Sequence, residues 1–274
     1  ALALSVEIYR CAQETEDHDI HEVFKSGRLE SLFMQAFVGL SFDEVEPAYQ
    51  DVLMDKVRDF VSVDHPDGSF EMMKYPVTQG FWMFLQSVNP SKRVGASLPV
   101  GNVSWLDCVL FANQLSTKEG LVAVYQNIPS ELQIGMTYKN AEQAQHWAEQ
   151  ITVSNEANGY RLPTESQWEF AAKAGTTQKY SGSDEIDEVG WYSKNTQKKL
   201  QAVGLKQKNS FGIYDMSGNV FETCWDNWNS DSYSRVLRGG GANYAKLFCD
   251  VEFRSWICPS KSRKDVGFRL IRSN

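Results

Sequence analysis

The sequence is expected to fold as an α+β protein, with short antiparallel sheets, flanking helices and much irregular structure between them. Three observations point there. Capped helix starts fall between Thr78 and Gly175, everything from Gln201 onward reads as short β segments and glycine turns, and 8 Trp, 11 Tyr and 15 Phe are spread partly through stretches without a period. Hydrophobic content of 42% with so many aromatics excludes a disordered chain.

Taken in order, residues 1–60 read as two amphipathic helices. Ile20, Val23, Phe24, Leu29, Leu32, Phe33 and Phe37 fall at helical spacing, and so do Val45, Tyr49, Val52, Leu53, Val57 and Phe60. Such a pair cannot bury its apolar faces alone, so it is expected to pack on the body. Thr78 is placed to cap a helix whose Phe81, Phe84, Leu85 and Val88 share a face until Asn89-Pro90 stops it. Ser104 with Asp107 resembles a capping box, opening a helix lined by Cys108, Phe111, Ala112 and Leu115 that ends at Gly120. Thr164-Glu165-Ser166-Gln167 is a T-x-x-Q box leading into Trp168, Ala171 and Ala172 and stopping at Gly175. A fourth helix is expected around Ala144, Trp147 and Ala148.

A chain of 274 residues can build one large domain or two small ones with a substantial core. No apolar run approaches the roughly 20 residues of a membrane span. Residues 1–60 hold 13 acidic and 5 basic residues, which accounts for the whole net charge of -8. That asymmetry places a boundary near residue 60, between an acidic helical segment (1–60) and the body (61–274). Residues 235–274 hold 9 basic and 3 acidic residues, but these cations are scattered and no nucleic-acid module is visible. A solvated loop, or one suited to an anionic protein surface, explains them better. Cys11, Cys108, Cys224, Cys249 and Cys258 are odd in number and lack a CxxC pair. They read as free thiols, with a Cys249–Cys258 bridge as the alternative. His18, His21, His65 and His146 never join them at zinc-site spacing.

The least regular part of the body lies between two β-forming ends. Arg235-Val236-Leu237-Arg238 runs into Gly239-Gly240-Gly241, and Val266-Gly267-Phe268-Arg269-Leu270 alternates as a half-buried strand does. Between them, aromatics and cations are mixed. The segment 235–273 reads as a surface loop held at both ends by strands.

Several motifs occur in order: Lys74-Tyr75-Pro76-Val77-Thr78-Gln79, Asn89-Pro90-Ser91, Val103-Ser104-Trp105, Gly159-Tyr160-Arg161-Leu162-Pro163-Thr164-Glu165, Gly212-Ile213-Tyr214-Asp215-Met216-Ser217-Gly218-Asn219-Val220, Arg235-Val236-Leu237-Arg238-Gly239-Gly240 and Gly267-Phe268-Arg269. Together they resemble the formylglycine-generating-enzyme, or sulfatase-modifying-factor, domain over about residues 60–273. The resemblance implies a C-type-lectin-type fold, with which the order of capped helices and β pieces is compatible. Residues 126–150 look like an insertion.

Oxidation to formylglycine in that family uses two cysteines after the Gly-Gly turn, soft thiolates that bind copper. Cys249 matches the second, but the first falls on Tyr244, so neither this activity nor a catalytic cofactor is expected. The three-histidine iron site of the related sulfoxide synthases is poorly matched by His18-x-x-His21. The family's calcium site maps onto the side chains of Asp215 and Glu222 and the backbone carbonyls of Gly218 and Val220. Either these residues hold a structural calcium ion, or Asp215 caps its turn and Glu222 is solvated or ion-paired.

Variable proteins of diversity-generating retroelements share this fold, and their diversified segment lies between Arg-Val-Leu-Arg-Gly-Gly and Gly-Phe-Arg-Leu ends, as here. The resemblance implies a ligand-binding surface of Ala242, Asn243, Tyr244, Leu247, Phe248, Asp250, Phe253, Ser255, Trp256, Ile257, Cys258 and Ser260, all compatible with adenine-directed diversification except Trp256. Its partner is expected to be a macromolecule, most simply a protein and not nucleic acid, met at a bacterial cell surface after export. Large aromatics with serine and asparagine are the mix found in paratopes. Tyr244, Trp256 and Ile257 are the better candidates for exposure, whereas Phe248 and Phe253 read equally well as core. An ordinary family member with an exposed loop, structural or an oxidase of another substrate, is the alternative.

Overall fold

The computed structural model describes residues 58–136, 141–230 and 233–273. The proposed helices of residues 1–57, with Cys11, His18 and His21, lie outside them. In chain order the elements are β1 (Phe60–Val63), β2 (Phe70–Met73), α1 (Gln79–Met83), α2 (Trp105–Lys118), β3 (Tyr125–Gln126), α3 (Ala141–Gln150) and β4 (Thr152–Val153). There follow β5 (Tyr160–Arg161), α4 (Glu165–Lys173), α5 (Ile186–Val189), β6 (Phe221–Asn227), β7 (Arg235–Arg238), β8 (Ser255–Ile257), β9 (Val266–Gly267) and β10 (Ile271–Ser273).

Two four-stranded sheets organise the body. The first has the order β1-β2-β10-β5, so the last strand of the chain sits between segments from its beginning and middle. The second has the order β8-β7-β6-β9, antiparallel except where β9 runs parallel to β6. Strands β3 and β4 form a separate pair. Phe60, placed by periodicity at the end of a helix, is instead the first residue of β1, opposite Met73.

The predicted helix starts form as local chemistry dictates. Ser104 Oγ accepts from the Asp107 amide at 3.1 Å while Asp107 Oδ2 accepts from the Ser104 amide at 2.8 Å, and Thr164 with Gln167 closes the same reciprocal pair on α4. Thr78 caps α1, but that helix stops at Met83, short of Asn89-Pro90. Trp82 Nε1 donates to the Val88 carbonyl and Asn89 Nδ2 to Gln79 Oε1, folding 84–89 into an irregular turn that leaves Val88 exposed. The buried face of α2 packs Phe111 flat on Trp82 (5.0 Å between centroids) and edge-on to Phe268 (5.5 Å). Truncating such an aromatic to alanine costs about 3–5 kcal/mol.

The stretch 266–270 departs from its half-buried reading, since all five residues are buried. Only Val266 and Gly267 pair with β6; Phe268 and Leu270 then accept hydrogen bonds from the Val77 and Met73 amides, carrying the chain from the second sheet into the first. Polar Arg269 is buried there because a buried carboxylate, Glu222, receives it.

Candidate functional site

The loop between β7 and β9 departs from the sheet through Gly240. Its φ is +77°, and a Cβ there would lie 2.4 Å from the Phe248 carbonyl oxygen and 2.8 Å from Cys249 Sγ, so only glycine lets the two strands of the loop meet. Beside this turn, fully buried Arg238 holds the returning strand. Its guanidinium donates to the carbonyls of Val251 (2.7 Å), Glu252 and Phe253 (both 3.1 Å) and to Glu169 Oε2 (2.6 Å) on α4. Arg254 grips Glu165, one turn earlier on the same helix, through two hydrogen bonds of 2.5 and 2.6 Å. Read from sequence, Arg238 belongs to a strand end and Arg254 to the solvated loop charges, and neither has an assigned partner. The signal that could have assigned them is the Glu165–Glu169 pair, whose i,i+4 spacing puts both carboxylates on one helix face.

Aromatic rings brace the rest of the loop. Phe221 on β6, Tyr244, Phe248 and Phe253 meet edge to face in succession, with centroids 5.0, 5.6 and 5.0 Å apart. Arg263 donates to the Tyr244 hydroxyl at 2.8 Å and pairs with Asp265 at 2.7 Å. Neighbouring segments hold the backbone, with Ser193 N–H donating to the Tyr244 carbonyl and Thr196 Oγ1 to that of Ala242.

The predicted binding residues divide accordingly. Leu247 and Trp256 are 55% and 51% exposed. Asn243, Asp250, Ser255, Cys258 and Ser260 are half-buried at the surface, as are the braced Tyr244, Phe248 and Phe253. Two residues correct the expectation of a single exposed patch. Ile257 is only 4% exposed, packed with Phe221, Leu237 and Val266, because strand alternation turns it inward from Trp256. Ala242 is fully buried against Leu200 and Val220. Both support the loop from beneath.

Cys249 and Cys258 are free thiols, not a bridge. Cys249 is buried, and burial pushes its pKa up to about 12, so it is held as a protonated thiol near neutral pH. The residue standing where a second thiolate would be required is the half-buried phenol of Tyr244.

The turn at Asp215 and Gly218 is held by protein partners. Glu222 is buried and receives Arg269 through two hydrogen bonds of 2.7 Å and Trp168 Nε1 through a third of 2.7 Å. Both carboxylate oxygens are engaged, and a calcium ion here would lie beside a buried guanidinium. Asp215, with φ +59°, accepts the amide of Gly204, from the segment before its own turn, on Oδ2 at 2.7 Å, while its Oδ1 is buried without a protein partner. Burial raises its pKa to about 6, opposed in part by that hydrogen bond and by Arg269. Gly218 has φ +91°, and a Cβ there would meet the Trp191 carbonyl oxygen at 2.1 Å, so only glycine fits at this approach. Val220 is buried.

Two small sheets, a helix-backed core and a long pinned loop define an α+β scaffold of the lectin type that carries its surface on irregular structure. The sulfatase-modifying factor enzyme 1-like domain matches residues 61–274, and the chain belongs to that family. It is 34% identical over 229 residues to a protein described as chaperone protein LppX of Paenibacillus barcinonensis, across 74% of this chain and 80% of that one. It is 30% identical over 145 residues to the formylglycine-generating enzyme of Streptomyces coelicolor, a match that spans 40% of this chain and 46% of that enzyme. Among solved structures, Treponema denticola variable protein 1 superimposes with a TM-score of 0.66 at 27% identity, covering 80% of this chain and 93% of that one.

Proposed function

We propose that this chain is a non-catalytic variable protein, displayed at a bacterial cell surface, that binds a macromolecular ligand, most simply a protein, through the surface of residues 241–265. The observation that carries the reading is the combination of a tightly held loop backbone with exposed Leu247 and Trp256 at its surface. A loop whose course is fixed by Arg238, Gly240 and the edge-to-face aromatics accepts changes at its exposed positions without loss of fold. The match to Treponema denticola variable protein 1 supports it. Replacement of the first oxidase cysteine by Tyr244, with Cys249 held protonated, speaks against the oxidase alternative.

Sequencing the 3′ end of the gene in many isolates tests the proposal. Codons for the exposed and half-buried residues of 241–265 should differ between isolates while those for 235–240 and 266–270 stay constant, with a reverse-transcriptase gene nearby. An invariant segment would sink it. As a separate check, copper-loaded protein incubated with a cysteine-containing sulfatase peptide should yield no aldehyde; aldehyde formation would return the chain to the oxidases.

A further inference from the structure

Four separate stretches of this acidic chain contain no Asp or Glu at all: 91–106, 189–214, 233–249 and 253–264. The fold brings all four together. Asn102 N–H donates to the Arg263 carbonyl at 2.8 Å and Val203 N–H to that of Ser97 at 3.0 Å. Arg93 Nη1 donates to the Leu200 carbonyl, and the bonds from Ser193 and Thr196 to Tyr244 and Ala242 join 191–200 to the loop. Gly101 approaches so closely that a Cβ on it would lie 2.5 Å from the Lys264 carbonyl oxygen.

Each stretch brings exposed cations to this junction. The first supplies Lys92 and Arg93, the second Lys194, Lys198 and Lys199, the third Lys246, and the fourth Lys261 and Lys264. None of the eight lies within 4 Å of a carboxylate among the described residues, whereas Arg254 and Arg263, the other loop cations, are both paired. Acids at the margin are already engaged. Asp265 is paired with Arg263, and Asp187 accepts from Asn195 Nδ2 at 3.0 Å. A concentration of unpaired like charge on an otherwise acidic protein costs self-repulsion, which an oppositely charged partner relieves.

We infer that this lysine-rich face is a docking surface for an acidic protein partner, extending the proposed recognition loop onto the segments 92–94 and 194–199. Two features favour protein over a uniformly charged polymer. Seven of the eight cations are lysines, point charges without the planar fork that suits phosphate, and apolar Val94 and Leu247, 47% and 55% exposed, are interleaved with them.

The inference rests on the binding reading only in part, because five of its cations lie outside 241–265. The test measures binding of the full chain to an acidic peptide of alternating Glu and Leu, to its Ser-Leu counterpart, to heparin, to duplex DNA and to phosphatidylserine vesicles. The Glu-Leu peptide should bind best, weaken with added salt, and lose about tenfold or more in affinity for a Lys198→Glu, Lys199→Glu, Lys246→Glu variant. The same reversal at Lys118 and Lys179, exposed lysines outside the four stretches, should leave affinity within about twofold. Equal loss in both variants, equal binding of the Ser-Leu peptide, or preference for heparin, DNA or vesicles would overturn the inference. Each outcome is independent of whether the loop codons vary, so failure here is distinguishable from failure of the variable-protein reading. Unchanged thermal midpoints for both variants establish that folding is intact.

Discussion

Asp215, in a buried turn, and Glu222, on the strand β6 that follows it, respond oppositely to loss of their charge. Burial raises the folded-state pKa of Asp215 to about 6 from an ordinary value of 3.8. The folded chain therefore holds this proton more tightly than the unfolded one. Its contribution to stability is fully present below the unfolded value and is lost as pH rises through about 6. An Asp215→Asn variant, which keeps an acceptor for the Gly204 amide and tolerates the positive φ, should gain on the order of 2 kcal/mol at neutral pH. That gain should vanish below the unfolded value, as urea unfolding at the two pH values will register. Glu222 is the reverse case: Glu222→Gln would leave the Arg269 guanidinium buried without its counter-charge, a loss of about 3–5 kcal/mol. Since both Glu222 oxygens are taken, millimolar calcium should leave the thermal midpoint of the native protein unchanged; a rise would restore the calcium alternative.

Among the elements, α4 does the most to shape the loop, because one face carries both Glu165 and Glu169. Arg238 has no exposed surface and satisfies three loop carbonyls with one guanidinium, so Arg238→Ala leaves those carbonyls unsatisfied and Glu169 with Lys173 as its remaining partner. It should cost about 3 kcal/mol or more and open the loop to limited proteolysis between residues 250 and 265. Arg254 grips the neighbouring carboxylate with equally short bonds but in contact with water, and Arg254→Ala should cost no more than about 1 kcal/mol. Similar costs for the two variants would show that the buried clamp is not what holds the loop. The helix itself was legible from Thr164 and Gln167, since a capping box closes within three residues. Its partnership with β7 was not, because Arg238 and Glu169 are 69 residues apart and only folding makes them neighbours.

At the scale of the whole molecule, the loop separates stability from recognition. Leu247→Ala combined with Trp256→Ala removes two exposed side chains and should change unfolding free energy by no more than about 0.5 kcal/mol per site. Ile257→Ala empties a buried position between the sheet and the loop and should cost about 2–5 kcal/mol. Thermal denaturation of the two variants side by side gives the answer, and a large loss from Leu247 and Trp256 would show them to be structural. The proposed docking face draws its cations from four segments, whereas the buried ion pairs Arg238–Glu169 and Arg269–Glu222 serve the fold.

Taken alone, the sequence determined the α+β order, the caps at Thr78, Ser104 and Thr164, the glycine exit at 239–241 and the absence of a cysteine at position 244. Each depends on neighbouring residues or on the identity of a single one. Tertiary structure decided that Ile257 turns inward while Trp256 faces out, that Arg269 claims Glu222, and that four acid-free stretches converge on one surface. Periodicity cannot supply these results, since strand register, a charge partner 47 residues away and the meeting of distant segments exist only once the chain has closed on itself.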